Sequence, residues 1–257
     1  MHSYQAALEA FAKAVQFMRV PIERVEVQSP DGVLPGYLIP SGKAGASPVV
    51  IFYNGFDVTK EILYAIIRDE FANRVLDYEV PTAAIVDYLE TQKDIDHERI
   101  GLTGISLGGY YAPRGAAFEP RIKACVAWGA IWDYGVTWRR RWDTRTKRTS
   151  VPFWQLPWVM GTNSMDAALE PVRAWSLDGV LWHLSQPFLI VHGEEDGLVP
   201  LKDARRAFES AGAVDKQLRV FTAAEGGSDH VGIDEPDPVR HFVVDWFARR
   251  LGTARKT

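Results

Sequence analysis

The sequence predicts an α/β fold with a mainly parallel sheet and helices on both of its faces. Apolar runs of strand length alternate with segments of helical spacing along most of the 257 residues. This alternation is typical of parallel strands, because each neighbouring pair needs a crossover connection, which is usually a helix. The run at residues 48–53 is apolar throughout, which indicates a strand buried on both faces.

The individual elements follow from local patterns. Apolar residues at helical spacing predict a first helix over residues 3–18, with Ser3 as its N-cap. Two short strands, 22–27 and 33–39, flank a Pro-Asp-Gly turn and predict a hairpin. Further strands are predicted at 48–53, 100–105, 122–128, 187–192 and 217–222, and further helices at 60–74, 81–93, 107–118, 201–211 and 239–251.

Residues 133–185 interrupt the alternation of strand and helix. The segment is too long for a plain connection, and eight of the nine Trp residues lie between Trp128 and Trp182. We interpret the segment as a Trp-rich helical cap inserted over the end of the sheet. The chain then divides into an N-terminal helix over 1–20, a core over 21–132 and 186–257, and a cap over 133–185. Indole rings predict a flat apolar or aromatic substrate, with packing inside the cap as the alternative.

Composition bears on partners and location. The net charge of −4 and the pI of about 5.9 lack the basic footprint of a nucleic-acid binder. Cys125 is the single cysteine, so an intrachain disulfide is impossible, and its apolar surroundings favour a packing role. No apolar run is long enough to cross a membrane. We therefore expect no nucleic-acid or membrane partner and a cytoplasmic location.

One basic cluster departs from this acidic balance, since Arg139, Arg140 and Arg141 are consecutive. We interpret the cluster as a solvated face of a loop or helix. The alternative is a site for anionic substrate groups or a contact between subunits, and a homodimer is one open possibility for the assembly.

A serine flanked by glycines forms the most informative motif. Residues 104–108 match G-x-S-x-G, in which a sharp strand-to-helix turn exposes the serine hydroxyl. Side chains two residues before and after the serine would collide, which explains Gly104 and Gly108. The pattern alone occurs by chance, but here a predicted strand precedes it and a predicted helix follows. Ser106 is therefore the predicted nucleophile.

A serine nucleophile needs a base, and the base needs an acid to orient it. His230 lies in the loop after the last predicted strand, whereas His241 lies in a helical pattern, so His230 is the predicted base. Asp196 follows the penultimate strand and is the predicted acid. Asp133, which follows the preceding strand, remains the alternative acid.

The residues around this triad complete the predicted site. The backbone N–H groups of Phe56 and Leu107 are the predicted oxyanion hole. Asp57, Tyr110 and Trp132 are candidates for substrate contact or proton handling, with a helix N-cap as the alternative role of Asp57. Neither a metal-ligand spacing nor a nucleotide-binding motif occurs, so we expect no metal and no cofactor.

Four motifs together resemble one branch of the α/β-hydrolases. They lie at 54–61 (NGFDVTKE), 104–112 (GISLGGYYA), 192–196 (HGEED) and 225–230 (EGGSDH). That branch includes dihydroxypseudooxynicotine hydrolase, the fungal yellowish-green pigment hydrolase and esterases similar to the fermentation-respiration switch protein. The resemblance extends from about residue 22 to the C-terminus, and it implies an α/β-hydrolase fold.

The resemblance also carries expectations about individual residues and about the fold. It implies Ser106, Asp196 and His230 as the triad and an acidic residue in the oxyanion loop, which is Asp57 here. Members of the branch carry a larger helical N-terminal cap, of which residues 1–20 would be a remnant. They also have a strand that the interval 71–81 is too short to hold, so either the sheet is one strand short or the chain is trimmed there.

The expected function is hydrolysis through attack of Ser106 on a carbonyl carbon. Several members of the branch cleave a carbon–carbon bond next to a ketone on an aromatic ring or polyketide, and the resemblance implies such a small apolar or aromatic substrate. A general carboxylesterase acting on small acyl esters is the second hypothesis, because its triad would be the same. A non-enzymatic binding module on this fold is the third.

Overall fold

A computed structural model describes residues 2–17, 21–30, 32–57, 82–145 and 151–252. Over these ranges five parallel strands form one sheet in chain order, β3 to β7, and two antiparallel strands form a separate hairpin, β1 and β2. The strands are β1 (Glu23–Ser29), β2 (Gly32–Leu38), β3 (Ser47–Tyr53), β4 (Ile95–Ile105), β5 (Ile122–Trp128), β6 (Phe188–Gly193) and β7 (Lys216–Phe221). The predicted α/β fold and hairpin are confirmed.

Helices α2 to α7 lie between consecutive parallel strands, whereas α1 precedes the hairpin and α8 follows the last strand. They are α1 (His2–Val15), α2 (Thr82–Glu90), α3 (Gly108–Phe118), α4 (Tyr134–Thr144), α5 (Gln155–Val159), α6 (Met165–Val172), α7 (Leu201–Ser210) and α8 (Pro236–Leu251). Each helix in the described ranges is too short or too polar to span a bilayer. The helix predicted over 60–74 and the short interval 71–81 lie outside the described residues, so the strand missing there stays a prediction.

The sheet separates two apolar layers. Along β3, Ile51 belongs to a cluster with the inner residues of α2 and α3, whereas the next residue, Phe52, belongs to a cluster with α8. Successive side chains of a strand point to opposite faces, so a strand covered on both sides must be apolar throughout. This arrangement confirms the prediction of helices on both faces of the sheet.

Some element ends differ from the prediction. Strand β4 begins at Ile95 rather than at residue 100, because Ile95 is buried and pairs with Ser47 before the polar residues that follow it. Helix α8 begins at Pro236 rather than at residue 239, since proline is well tolerated in the first turn of a helix. The polar residues between Ile95 and Ile100 lie at a shift in the register of β3 and β4.

The described residues of the segment 133–185 contain the helices α4, α5 and α6, joined by turns and irregular backbone, and several of them line the cavity beside Ser106. A Cβ atom built on Gly135 would lie 2.7 Å from the carbonyl oxygen of Val172, so α4 and α6 approach each other closely there. The segment contributes Leu156 and Leu169 to the same apolar cluster as the sheet. The division of the chain into a core and a cap stays a prediction.

Candidate active site

Ser106 sits at the sharp turn between β4 and α3. The φ angle of Ser106 is 58°, in the left-handed region that residues other than glycine rarely adopt. A Cβ atom on Gly104 would lie 2.3 Å from the carbonyl oxygen of Gly108, and one on Gly108 would lie 2.3 Å from that of Tyr53. Both glycines are therefore required for the backbone to pass this closely, for the reason that the motif suggested.

Three side chains from separate turns form one hydrogen-bonded row. His230 Nε2 lies 2.9 Å from Ser106 Oγ, and His230 Nδ1 lies 2.8 Å from Asp196 Oδ2. A carboxylate only accepts hydrogen bonds, so Nδ1 carries the proton and Nε2 can accept the hydroxyl proton of Ser106. The three residues predicted as a triad are thus brought together in the arrangement that proton transfer needs.

The carboxylate of Asp196 is held on both oxygens. Oδ1 accepts the backbone N–H groups of Leu198 at 2.9 Å and Val199 at 2.8 Å, while Oδ2 faces His230. Burial on its own raises the pKa of Asp196, but the hydrogen bond and charge of His230, together with His192 and the backbone N–H of Val199, hold that pKa below its ordinary value. The side chain therefore remains a carboxylate at neutral pH.

A second histidine, which was not predicted to belong to the site, borders this carboxylate. His192 ends β6 with its side chain buried, and its Nε2 lies 2.9 Å from the carbonyl oxygen of Val199 and 3.6 Å from Asp196 Oδ2. Burial lowers the pKa of His192, so the ring is neutral and Nε2 donates to the carbonyl. The sequence could have indicated this histidine, because it ends a predicted strand and lies close to the predicted acid.

The loop that carries His230 is anchored at two points. Asp234 Oδ1 accepts the backbone N–H of Asp229 at 3.0 Å, and Trp128 Nε1 donates to the carbonyl oxygen of Val231 at 2.9 Å. The φ angle of Val231 is 52°, another left-handed residue next to the site. These bonds place the imidazole against the end of β5, although its loop has little regular structure.

A small cavity of about 30 Å³ opens beside the serine. Phe56 and Leu107, the predicted oxyanion-hole residues, both contribute to its walls, and the ring of Phe56 packs edge-on against Trp138. The complete lining comprises Phe56, Ser106, Leu107, Ile131, Tyr134, Thr137, Trp138, Arg141, Val151, Leu198, Val199 and His230. The walls are therefore mainly apolar and aromatic, and residues 134–151 supply almost half of them.

Three predicted residues are not among those that line this cavity. Asp57 is exposed and follows the wall residue Phe56. Tyr110 stacks on Trp175 at 6.4 Å and lines a separate cavity of about 530 Å³. Trp132 packs against the guanidinium of Arg206, whose Cζ is 4.6 Å from the ring centroid. The structure does not bring these three side chains into the walls around Ser106.

The alternative acid, Asp133, has a different role. Its Oδ1 accepts the backbone N–H of Val136 at 2.7 Å, which makes it the N-cap of α4. Asp196, not Asp133, contacts the histidine beside Ser106, so Asp133 is not the orienting acid in this geometry.

The arginine cluster corrects the prediction of a solvated face. Arg139 agrees with the predicted solvated face, because its side chain is partly exposed and pairs with Asp166 at 3.1 Å. Arg141 does not, since it is only 6% exposed and lines the cavity beside Ser106. Arg141 lies three and seven residues after Trp138 and Tyr134, so all three share one face of α4. That helical spacing was the signal for its burial.

The parallel sheet, the serine turn and the converging histidine define an α/β-hydrolase. Residues 80–254 match the prolyl oligopeptidase family, which is well over half of the chain. The chain belongs to this family of α/β-hydrolases and is a hydrolase.

Several proteins similar to this chain are also named as hydrolases. The chain is 32% identical to 2,6-dihydropseudooxynicotine hydrolase of Paenarthrobacter nicotinovorans, with 97% of this chain and 70% of the relative covered. It is 29% identical to hydrolase ORFZ of Pyricularia oryzae, with 71% and 48% covered, and 30% identical to the α/β hydrolase ucsC of an Acremonium species, with 66% and 40% covered. The chain thus spans less than half the length of these two fungal relatives.

Solved structures agree on the fold. The crystal structure of 2,6-dihydroxy-pseudo-oxynicotine hydrolase superimposes with a TM-score of 0.81 at 27% identity, covering 97% of this chain and 74% of that one. The esterase Pf2001 of Pyrococcus furiosus superimposes with a TM-score of 0.71 at 19% identity, covering 93% of each chain. The second likeness shows the fold alone.

Proposed function

We propose that this chain is a serine hydrolase in which Ser106 attacks a carbonyl carbon of the substrate. The supporting observation is the row of hydrogen bonds from Ser106 through His230 to Asp196, at 2.9 and 2.8 Å. His230 takes the hydroxyl proton as Oγ attacks and returns it to the leaving group, while Asp196 stabilises the imidazolium between these two steps. A water molecule, activated by the same imidazole, then releases the acyl group from Ser106 as a carboxylic acid.

The oxyanion of the tetrahedral intermediate would be stabilised by the N–H groups of Phe56 and Leu107. Leu107 immediately precedes α3, so its amide lies at the positive end of a helix dipole. Gln155 Nε2 donates to the carbonyl oxygen of Phe56 at 3.0 Å and holds this part of the loop. Each oxyanion donor contributes about 3 kcal/mol to the transition state in known hydrolases.

The bond cleaved in this proposal is a carbon–carbon bond next to a ketone, on an aromatic or polyketide-like substrate. The support is the branch that the motifs resemble, together with the aromatic side chains of Phe56, Tyr134 and Trp138 in the cavity walls. One water is consumed, and a β-diketone yields a carboxylic acid and a methyl ketone. Pockets for whole ligands usually measure about 300 Å³ or more, so this cavity accommodates the reacting end only.

Hydrolysis of small acyl esters is the competing activity, because the triad would act identically on an alkoxide leaving group. Benzoylacetone and p-nitrophenyl acetate, assayed side by side, separate the two. The proposal expects turnover of the diketone, and an enzyme that cleaves esters while leaving every aryl β-diketone intact would contradict carbon–carbon hydrolysis.

The nucleophile is tested by labelling with a fluorophosphonate and measuring the intact mass. The wild type should gain one adduct, and Ser106→Ala should gain none and lose turnover. Ser185→Ala is the matched control, because Ser185 is exposed and lies outside the cavity, so its labelling should equal that of the wild type. Full activity in Ser106→Ala would overturn the mechanism.

A further inference from the structure

The cavity beside Ser106 is lined by a cationic side chain that has no role in the mechanism proposed for the triad. Arg141 is 6% exposed and shares the cavity walls with Ser106 and His230. Its Nη2 donates to the carbonyl oxygen of Val151 at 2.8 Å, and its Cζ lies 4.2 Å from the ring centroid of Trp138. The side chain is thus held in place by a hydrogen bond and a cation–π contact.

Burying a guanidinium is costly, and a hydrolase of neutral esters has no need for one at this place. Burial lowers the pKa of Arg141, while the negative charges of Tyr134, when ionised, and Asp57 act in the opposite direction. A guanidinium stays protonated in proteins despite such shifts, so the cavity carries a positive charge. In a cavity with mainly apolar walls, this positive charge stabilises negative charge that develops on the substrate during the reaction.

We propose that Arg141 binds the second carbonyl oxygen of a β-diketone substrate and stabilises the enolate that leaves. This inference rests on the proposed carbon–carbon hydrolysis. When the tetrahedral intermediate collapses, the electron pair of the carbon–carbon bond forms the enolate double bond, and the carbonyl π pair moves to the oxygen facing Arg141. The imidazolium of His230 then protonates the carbon, which gives the ketone and leaves the acyl group on Ser106.

The neighbouring arginines do not share this position. Arg140 Nη2 donates to the carbonyl oxygen of Leu198, and Arg139 pairs with Asp166. Neither side chain is among those that line the cavity around Ser106. Arg139→Gln therefore makes the same chemical change on the same helix without touching the site, which makes it the matched control for Arg141→Gln.

The experiment measures kcat/KM for benzoylacetone and for p-nitrophenyl acetate and takes their ratio. Both substrates need Ser106, but only the diketone has a second carbonyl group whose oxygen Arg141 could bind as the enolate forms. Arg141→Gln should lower the ratio about 100-fold, as for loss of one transition-state donor. Arg141→Lys, which keeps the charge, should recover part of the ratio, and Arg139→Gln should leave it unchanged.

A purely structural role predicts something different. Because Arg141 also holds Trp138 and Val151, such a role would slow both substrates equally, and an unchanged ratio in Arg141→Gln would overturn the inference. Inactivity of the wild type toward diketones would instead refute the proposed function itself. If Arg141→Gln does not fold, the inference is tested on the wild type instead, by measuring how strongly two small molecules inhibit its ester hydrolysis. Dimedone, an enolate at neutral pH, should inhibit at least tenfold more strongly than cyclohexanone, and equal inhibition would overturn the inference.

Discussion

His230 Nδ1 and Asp196 Oδ2 lie 2.8 Å apart, although the two residues are 34 positions apart in the sequence. The same carboxylate accepts two backbone N–H groups of its own loop through its other oxygen. One side chain therefore fixes both the loop after β6 and the tautomer of the imidazole. The predictions below test this arrangement and the backbone around it.

Asp196→Asn should lower kcat by about 10⁴-fold, because an amide can donate to Nδ1 and so stabilise the wrong tautomer of His230. Steady-state kinetics on p-nitrophenyl acetate would measure the loss. Glu194→Gln is the control, since Glu194 is exposed and belongs to the same loop, and its kcat should match the wild type. Near-normal turnover in Asp196→Asn would show that another group orients the histidine.

His192 should make stability depend on pH. Burial lowers its pKa in the folded state, so below about pH 6.5 the unfolded chain binds a proton that the folded chain does not. Stability should therefore fall as the pH drops from there toward the lowered pKa, by up to about 1.4 kcal/mol per pH unit.

Urea unfolding of His192→Gln at a series of pH values would test this, with the slope against pH as the readout. The slope over the acidic range should be shallower than in the wild type, whatever the overall stability of the variant. Gln217→Ala, which changes an exposed residue without a titratable group, should keep the wild-type slope. A His192→Gln slope equal to that of the wild type would refute the role of this residue.

Gly104→Ala and Gly108→Ala should both destabilise the turn that carries Ser106. Each new Cβ atom would lie 2.3 Å from a backbone oxygen, so the backbone must shift, with an expected loss of about 1–3 kcal/mol or more. Denaturant unfolding and ester turnover would show both effects. Gly197→Ala is the control, because a Cβ atom there meets nothing within 4 Å. Normal stability in Gly104→Ala would contradict the observed crowding.

Gln155→Ala should lower kcat more than it raises KM, because Gln155 holds the backbone of Phe56 at 3.0 Å and Phe56 belongs to the proposed oxyanion hole. Small misplacements of this kind cost up to about 100-fold in rate. Ester kinetics would separate the two constants, with Gln217→Ala at an exposed position as the control. An effect confined to KM would place Gln155 in substrate binding instead.

Much of this architecture was predictable from local patterns. Strand β5 matches its predicted bounds, because seven consecutive mostly apolar residues leave few other conformations for a buried segment. The predicted nucleophile, base and acid all follow strand ends, and parallel strands bring their carboxyl ends to one edge of a sheet. Ends of elements were less predictable, as β4 shows, because its first paired residue, Ile95, is separated from the regular pairing at Ile100 by polar residues and a register shift.

Local patterns were enough to predict the class of fold and the three side chains that meet, since hydrophobic periodicity and the glycine-flanked turn act over a few residues. Which other side chains face Ser106 depends on how the helices pack in three dimensions. This packing places Tyr110 and Trp132 elsewhere and brings Arg141 into the cavity walls. The inward face of α4 is set by its packing against α6, a contact between residues that lie far apart in the chain.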